Sequence, residues 1–377
     1  MDKINNYFDI IIIGAGLSGI TLMLELIKRT NKKILILEKK EKLLKDKNWC
    51  FWSYPKNIFT NNYDFKWNKI EIKSRENSVI KSSEKFSYLN ISSDKLYNLG
   101  LNKINKSKNV TILLNQNVKE IKEYEKKIRI KCNKKIYISD LVFDSRPIPI
   151  KKNKLIQHFY GTEVKCKKSI FDKKKAILMD FQNDQNTVHF MYILPFSSNR
   201  ALVETTYFSK KIYPKKKYIN DIRNHLKKNF PNIIFKSNFI EYGKIPMYSS
   251  KLNNNNNSKI IKIGTSNNWI RSSTGYGFQN AFRNSKEIVD NLISNKNISI
   301  SSKKLTYFLD EIFLIFIEKY PKDSALFFHR FFLKLKLETI IRFLTDSYNF
   351  LEMLKIVFIL PKTKLLISLI YFLKKND

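Results

Sequence analysis

Four consecutive isoleucines near the start of the chain lead directly into a glycine-rich turn. Ile10–Ile13 precede Gly14, Gly16 and Gly19 in the spacing GxGxxG, and an amphipathic segment continues to Arg29. A buried strand, a tight turn and a helix start in this order are typical of a dinucleotide-binding unit. Gly14 would permit the turn, Gly16 a close approach to a pyrophosphate, and Gly19 close packing of helix on strand. The phosphates would lie on free N–H groups at the helix N-terminus.

A second apolar strand supports the same interpretation. Residues 34–37 read Ile-Leu-Ile-Leu and lead into Glu38. A carboxylate at the end of this strand is placed to hydrogen-bond the hydroxyls of a ribose. The start of the chain therefore predicts an FAD or NAD site in which Glu38 and the three glycines contact the adenosine half.

The order of the later segments predicts the fold class. A β-rich section follows the nucleotide unit, an apolar strand at 259–263 then reaches Gly264, and the remainder after 305 is almost entirely helical in pattern. We expect an α/β fold with a Rossmann-type FAD-binding domain of the two-domain, monooxygenase-like kind, an inserted β-sheet substrate domain and a C-terminal helical region. The predicted segments are 1–55, 94–150 and 258–300 for the FAD-binding domain, 56–93 and 151–257 for the substrate domain, and 301–377 for the helical region.

The charge of the chain is strongly positive, with 70 Lys and Arg against 33 Asp and Glu, a net +37. Lysine and asparagine are spread along the whole chain, a pattern typical of AT-rich codon usage. A share of this charge could serve binding to anionic lipid headgroups. No recognisable nucleic-acid module accompanies the charge, so a nucleic-acid partner is not predicted.

The cysteines and histidines predict no metal site and no disulfide framework. Cys50, Cys132 and Cys166 show no CxxC spacing, and the four histidines are scattered. This usage fits a reducing, cytoplasmic compartment. No signal peptide is expected, because the first apolar run contains the glycine turn and lacks a basic leader.

A candidate catalytic acid lies in a predicted β-hairpin. The apolar runs 190–196 and 201–208 are separated by a short polar turn. Side chains alternate along a strand, so Glu204 shares a face with Leu202 and Phe208. Desolvation there would raise the pKa of Glu204 and keep it protonated, which makes it a proton donor. The alternative is a strand-edge carboxylate facing water.

Other candidates carry less weight. Asp180 is a second carboxylate with apolar neighbours, and His158 either lines the substrate or is a packed, hydrogen-bonded residue. Glu241 precedes Pro246 and Met247 in a segment that is either a substrate-lining turn or a strand end. No nucleophile lies beside a base, so hydrolase and metal-enzyme activities are not predicted.

Seven short motifs follow one another in the order and spacing of one known family. They are Lys47–Trp52, Leu155–Gly161, Phe171–Phe181 with Gln185, Tyr192–Pro195, Ala201–Thr206, Glu241–Met247 and Ser273–Phe278. In these motifs the chain resembles the bacterial lycopene β-cyclases, and the similarity extends to residues 341–344 near the C-terminus.

The resemblance implies an isomerase of carotenoid biosynthesis that closes β-ionone rings at the ψ-ends of lycopene without net redox change. It implies FAD in its reduced form, with NAD(P)H as the reductant. The essential acidic residue of the family corresponds to Glu204. The loop that contacts the flavin corresponds to residues 264–277, with contacts expected from Gly264, Thr274, Gly275 and Gly277.

This loop departs from the family pattern. Relatives usually carry Ala-Gly-Gly where Ser266–Asn268 stand, and a proline where Ser272 stands. Glycines permit close backbone approach, so their loss raises the question of weaker flavin binding. Two alternative functions stay open: an FAD-dependent redox enzyme acting on a polyprenoid, and a non-catalytic protein that binds flavin or carotenoid.

The C-terminal residues 350–375 are apolar but interrupted. Pro361 splits them, and Lys362 and Lys364 follow, which favours helices lying in a membrane interface over a spanning helix. Lycopene dissolves in bilayers, so we expect peripheral association with the inner face of the membrane. The alternative is a helical layer packed on the protein core. The sequence predicts no oligomeric state.

Overall fold

The computed structural model describes residues 6–376 apart from 75–76, 134, 183, 185, 250–257 and 299–303. Gln185 of the third motif lies outside the described residues. The strands are β1 (Tyr7–Ile13), β2 (Ile34–Leu37), β3 (Asn48–Trp52), β4 (Phe65–Trp67), β5 (Lys69–Ser74), β6 (Asn77–Ser82), β7 (Tyr88–Ser92), β8 (Val110–Leu113), β9 (Val118–Tyr124), β10 (Lys127–Cys132), β11 (Lys135–Asp144), β12 (Ile156–Lys165), β13 (Lys175–Phe181), β14 (Val188–Ser197), β15 (Arg200–Ser209), β16 (Lys236–Pro246) and β17 (Ile260–Lys262). The α-helices are α1 (Leu17–Arg29), α2 (Ser93–Ile104), α3 (Lys215–Asn229), α4 (Phe278–Ile293), α5 (Lys304–Lys319), α6 (Ser324–Lys334), α7 (Leu337–Leu344), α8 (Phe350–Ile359) and α9 (Lys362–Asn376).

The first sheet has the order β8-β2-β1-β11-β10-β9, and β17 also pairs with β11. The pairs that join β8, β2, β1, β11 and β17 are parallel, whereas β10 pairs antiparallel with both β9 and β11. The isoleucine run of β1 is buried on both faces of this sheet, as its continuous apolar sequence requires. Helices α1, α2 and α4 contribute to the core on one face.

The second sheet has the order β16-β12-β15-β14-β13-β5-β6 and is antiparallel except for the β13–β5 pair. Helix α3 packs on one face, where the side chains form an aromatic core. Helices α5 to α8 contribute to the core on the other face. A three-stranded sheet, β3-β7-β4, also covers part of this other face, and Trp67 of β4 donates its indole N–H to the carbonyl of Pro195 of β14 at 2.9 Å.

The predicted fold class is confirmed: the protein is an α/β structure with a nucleotide-type sheet, a second sheet and a helical C-terminal region. The predicted hairpin is β14–β15. The strand predicted at 259–263 is shorter than expected, since β17 covers Ile260–Lys262. Strands β5 and β6 come from segment 56–93 and pair within the second sheet. The division into separate domains stays a prediction.

The C-terminal region is helical throughout α5 to α9, as the sequence indicated. Among the described residues, no single helix combines the length and the apolar character that a membrane crossing needs. Helices α8 and α9 satisfy both requirements only when taken together, and they are bent by 111° at the break between them.

Candidate active site

The glycine turn after β1 is shaped by close contacts between backbone segments. Gly14 has φ = 96°, in the region that favours glycine. A Cβ on Gly19 would lie 2.0 Å from the carbonyl oxygen of Gly14, so only glycine lets α1 approach the turn this closely. A Cβ on Gly16 would meet nothing within 4 Å. No side chain caps the N-terminus of α1, so its first N–H groups are available to an anion.

Glu38 lies where the second strand meets this turn and is buried. Its Oε2 accepts a hydrogen bond from the backbone N–H of Ala15 at 2.7 Å, and its Oε1 accepts one from that of Lys40 at 2.9 Å. The carboxylate therefore fixes the glycine turn against the end of β2. Both oxygens keep further lone pairs for a ribose hydroxyl.

The loop between β17 and α4 packs on the same turn. It begins as a 3-10 helix at Gly264, whose φ is 70° and whose added Cβ would lie 2.8 Å from Oγ of Ser18 in α1. Asn268, which replaces a family glycine, adopts φ = 54°. Asparagine tolerates this left-handed conformation better than most residues, so the turn forms despite the substitution. Gly277 precedes α4, whose N-terminus also lacks a side-chain cap.

The same loop also reaches the second sheet. Gly275 has φ = 69°, and a Cβ on it would lie 2.6 Å from Oε1 of Gln157 in β12. That oxygen is buried without a hydrogen-bond partner among the described residues. A buried acceptor without a donor is costly, so a ligand N–H at this position would be stabilising. Thr274 accepts a hydrogen bond from the N–H of Tyr276 at 3.3 Å and shapes the turn. The open turn at Gly16 and this orphaned acceptor fit a dinucleotide that extends towards the second sheet.

A row of residues crosses four strands of the second sheet. In register, Glu241 of β16 lies opposite Gly161 of β12, Gly161 opposite Glu204 of β15, and Glu204 opposite Tyr192 of β14. Residues in register share a face, so these side chains point to one side, here called the carboxyl face. It is the face covered by the three-stranded sheet and helices α5 to α8.

The two carboxyl groups of this row are both buried, with Glu204 8% and Glu241 6% exposed. Burial, and then the negative charge of Glu241, raise the pKa of Glu204 well above its usual range. Its one hydrogen bond among the described side chains comes from the hydroxyl of Thr206 at 2.8 Å. Burial and the charge of Glu241 both favour the neutral form of the Glu204 carboxyl group.

Glu241 is held by Asn48 at the start of β3. The backbone N–H of Asn48 lies 3.1 Å from both carboxylate oxygens, and its side-chain amide donates to Oε2 at 2.9 Å. Burial raises the pKa of Glu241 to about 7, while the hydrogen bonds from Asn48 and the charges of Lys47 and Lys45 oppose the rise. Glu241 thus titrates near neutral pH.

The opposing wall of the site is aromatic and uncharged. The hydroxyls of Tyr88 and Tyr192 lie 3.0 Å apart, and Asn90 donates its amide to Sγ of Cys50 at 3.4 Å. Burial raises the pKa of the Cys50 thiol to about 12, and the charges of both glutamates add to the effect. The hydroxyl oxygen of Tyr276, next to Gly275, accepts a hydrogen bond from the backbone N–H of Trp52 at 2.7 Å.

Two of the sequence candidates do not lie on the carboxyl face. His158 of β12 is fully buried on the α3 side, where its ring nitrogens bond the hydroxyls of Ser209 and Tyr218 at 2.8 and 2.7 Å. Asp180 lies opposite Met191, whose side chain belongs to the core under α3. Burial raises the pKa of Asp180, but the structure does not bring it together with Glu204. Alternation along a strand predicts which side chains share a face, but it does not predict which helix or sheet packs on that face.

The segment after Glu241 divides between the faces. Met247 is buried in the core that lies between the carboxyl face and the C-terminal helices. Pro246 lies in register with Ile156 at the end of β16, one position out of phase with Glu241. Of this pair, only Met247 therefore lies on the side of the sheet that carries the two acids.

Sequence reasoning missed four residues that shape the site: Asn48, Gln157, Gly161 and Arg271. Asn48 stands in the Lys47–Trp52 motif, and Gln157 and Gly161 stand in the Leu155–Gly161 motif, but the motifs alone do not assign a role to these residues. The contacts that give all four residues their roles come from distant segments of the chain.

Arg271 ties the glycine loop to the helical region. Its guanidinium is buried and donates to Asp310 of α5 at 2.8 and 2.9 Å and to the carbonyl of Phe343 of α7 at 2.5 Å. Asp346 lies 3.6 Å away, and the ring of Phe343 stacks beneath the cation at 4.4 Å. Helices α5 and α7 thereby hold the loop that contains Gly275.

Solved structures share this fold, and the descriptions of several of them name FAD. The chain aligns with a geranylgeranyl bacteriochlorophyll reductase-like protein from Thermoplasma acidophilum at a TM-score of 0.62 and 13% identity, covering 96% of each chain. A probable FAD-dependent monooxygenase from Pseudomonas aeruginosa, PqsL, aligns at 0.57 and 12%, covering 90% of this chain and 100% of the other. The halogenase PltM, in complex with phloroglucinol and FAD, aligns at 0.58 and 10%, covering 89% and 78%.

These likenesses define the class of fold, an α/β fold shared with FAD-dependent monooxygenases and halogenases. No curated protein sequence matches the chain. A family model described as lycopene cyclase protein matches residues 9–369, nearly the whole length. The chain therefore belongs to the lycopene cyclase family, which confirms the resemblance found in its motifs.

Proposed function

We propose that this protein is a lycopene β-cyclase, which closes the ψ-ends of lycopene into β-ionone rings by acid catalysis without net redox change. The observation that carries the proposal is Glu204, a buried carboxyl group that no Lys, Arg or His of the described residues pairs with. A carboxylic acid kept neutral in a dry site can donate a proton to an alkene. Membership of the lycopene cyclase family supports the same reaction.

The residues around Glu204 suit the carbocation that protonation creates. The wall of Cys50, Tyr88 and Tyr192 contains no charged group and packs against the apolar cluster between the three-stranded sheet and the second sheet. An apolar wall offers water few hydrogen-bond partners. Water would otherwise capture the cation. The faces of aromatic rings stabilise a nearby cation by about 1–2 kcal/mol each.

The cofactor of the proposed reaction is FAD in its reduced form. The glycine turn and the N-terminus of α1 would hold its pyrophosphate, Glu38 its ribose, and the loop of Gly264, Gly275 and Gly277 would face the flavin. When bound, reduced FAD would supply negative charge beside the cation. NAD(P)H is proposed as the reductant that prepares this state.

The substrate is proposed to enter from a membrane surface. Apolar side chains of α8 and α9 are exposed beside lysines, and lycopene dissolves in bilayers rather than in water. Peripheral binding at the inner face of the membrane would bring these helices to the lipid that carries the substrate.

The proposal is tested with purified, FAD-loaded protein given lycopene in D₂O under reducing conditions. We expect β-carotene or its monocyclic precursor with one deuterium in each new ring, because the donated proton comes from an exchangeable carboxyl group. Glu204→Gln should reduce the rate by about 10²–10⁴-fold, the range for a general acid. Glu71→Gln is the matched control: Glu71 is equally buried in the same sheet but pairs with Lys175.

Two results would overturn the proposal. Turnover that consumes one NAD(P)H for each product molecule would indicate a redox enzyme acting on a polyprenoid. An FAD-loaded, folded wild-type protein that leaves lycopene unchanged would indicate a protein that binds without catalysis.

A further inference from the structure

A second buried carboxyl group lies in the same row as the proposed acid. Glu241 and Glu204 lie on β16 and β15, separated by Gly161 of β12, which is in register with both. A Cβ on Gly161 would lie 3.2 Å from Cβ and 3.4 Å from Oε2 of Glu204. The Glu204 carboxyl group therefore leans over the glycine, in the space between the two acids.

The two groups have opposite hydrogen-bond environments. Glu241 accepts from the backbone and the side chain of Asn48, which stabilises its charged form. Glu204 accepts from Thr206 alone. When environments drive two neighbouring carboxyl groups apart in proton affinity, one is the acid and the other the base.

We propose that Glu241 is the base of the cyclisation, the group that removes the proton from the ring cation after Glu204 has protonated the alkene. This inference rests on the proposed function. It assigns Glu241 a catalytic role instead of the lining role that its sequence suggested.

The proton and electron balance closes without any co-reactant. The O–H bond of Glu204 breaks, and the terminal double bond of the ψ-end supplies the electron pair for the new C–H bond. The next double bond attacks the resulting cation and closes the six-membered ring. Glu241 then takes a proton from a ring carbon, and the pair of that C–H bond becomes the ring double bond. Before the next ring closure, Glu241 releases this proton to solvent and Glu204 takes up one proton from solvent, which restores both groups.

This role makes Glu241 responsible for ring type. Loss of the proton from the conjugating ring carbon gives a β-ring, whereas loss from other neighbouring carbons gives ε- or γ-rings. A base fixed by three hydrogen-bond contacts to Asn48 selects one of these protons by position.

The test compares Glu241→Gln with Glu71→Gln in the FAD-loaded protein, using lycopene in D₂O. We expect Glu241→Gln to lower the rate about 100-fold and to shift the remaining product towards ε- or γ-rings. One deuterium should still enter each ring, because Glu204 remains the donor. Wild-type rate and pure β-rings in Glu241→Gln would overturn the inference while the cyclase function stands. Absence of cyclisation in the wild type would instead overturn the function.

A second variant keeps the inference testable if Glu241→Gln does not fold. Asn48→Ala retains the carboxylate but removes one donor, which raises the pKa of Glu241. Activity needs the deprotonated base, so the acid limb of the pH–rate profile should lie near pH 7 in the wild type and higher in Asn48→Ala. An acid limb that does not move would overturn the inference. The titratable and charged groups that face the pair are Glu204, Cys50, Tyr88, Tyr192, Lys45 and Lys47.

Discussion

At the scale of single residues, the site depends on a contrast between buried carboxylates of the same sheet. Glu71 and Glu163 are as buried as the two site acids, but lysines neutralise them: Lys175 pairs with Glu71, and Lys45 with Glu163. In the part of the chain that the structure describes, no lysine pairs with Glu204. Burial without a counter-ion favours the neutral acid, so pairing rather than depth separates a proton donor from a structural ion pair.

The raised pKa of Glu241 predicts a specific pH dependence of stability. Its pKa is about 7 in the folded protein and near 4.5 when unfolded, so the native state binds more protons between these values. Protonated Glu241 therefore stabilises the folded protein fully below about pH 4.5, and this stabilisation is lost as the pH rises through 7. The loss in the free energy of unfolding is about 3 kcal/mol, because each unit of pKa difference corresponds to about 1.36 kcal/mol. Urea unfolding of wild type and Glu241→Gln at several pH values measures it. A constant difference between the two proteins across pH 4–8 would contradict this prediction.

The candidacy of Glu204 could be predicted from sequence because it depends on strand alternation, which is local. The proximity of Glu241 to Glu204 could not be predicted from sequence. It depends on the register of β12 with both β15 and β16, and these strands come from separate stretches of the chain. His158 shows the same limit. The sequence left open whether His158 lines the substrate or is packed, because the face that α3 covers depends on the tertiary arrangement.

At the scale of elements, two glycines of one turn serve different purposes. A Cβ at Gly19 would collide with the Gly14 carbonyl between α1 and β1, whereas a Cβ at Gly16 has open space, and Gly16 has φ = −74°, which alanine also adopts. The space beside Gly16 is therefore not needed by the fold itself. It is available to a ligand.

The two alanine variants should separate folding from cofactor binding. Gly16→Ala should keep the stability of the flavin-free protein within about 0.5 kcal/mol but weaken FAD binding at least tenfold, because the methyl group occupies the approach to the pyrophosphate. Gly19→Ala should lose about 1–3 kcal/mol even without FAD, since the clash is with backbone. Thermal unfolding and flavin fluorescence titration give the two quantities. Equal stability losses in both variants would contradict the distinction.

The buried arginine of the flavin-facing loop predicts a coupling between elements. Arg271→Met would remove the guanidinium that pairs with the buried Asp310 and would leave Asp346 with Arg283, which should cost about 3–5 kcal/mol. Arg342→Met is the control: Arg342 pairs with Glu352 near the surface and should cost about 1 kcal/mol or less. The free energies of unfolding test this. Equal costs for the two variants would indicate that the buried cluster does not hold the loop.

Elements with local signals were predicted well, and the connections between them were not. The GxGxxG turn and the β14–β15 hairpin each lie within one short stretch of sequence. The contact of Arg271 with Asp310 joins a loop to a helix in another region, and neither residue has a periodic or motif signal. The left-handed Asn268 also needed the structure, because it shows that a lost family glycine leaves the turn intact.

At the scale of the whole molecule, the positive charge and the C-terminal helices both favour binding to an anionic membrane surface. The net charge is +37, and large apolar side chains of α8 and α9 are exposed, with Leu351 at 74%. The two helices are bent by 111° at the break between them, so they do not form one straight helix. A layer with apolar side chains and lysines suits the interface of an anionic bilayer.

This arrangement predicts binding to vesicles of phosphatidylcholine with phosphatidylglycerol, measured by co-sedimentation. Replacing Phe350, Leu351 and Phe358 together by serine should lower the partition coefficient at least tenfold, because each side chain contributes about 1.5–3 kcal/mol when buried in an apolar phase. Ile234→Ser is the matched control, since Ile234 is 86% exposed on the loop after α3. Raising the salt from about 0.05 M to about 0.5 M should weaken binding further by screening the lysines.

The same triple variant separates substrate access from chemistry. With lycopene embedded in vesicles its cyclisation rate should fall in parallel with binding. With lycopene dispersed in detergent the rate should match that of the wild type, because the substituted side chains lie outside the row of Glu204 and Glu241. Loss of cyclisation in both vesicles and detergent would indicate that these side chains are needed for folding or for the active site itself. Retention of both would mean that lycopene reaches the acids by a route that does not involve α8.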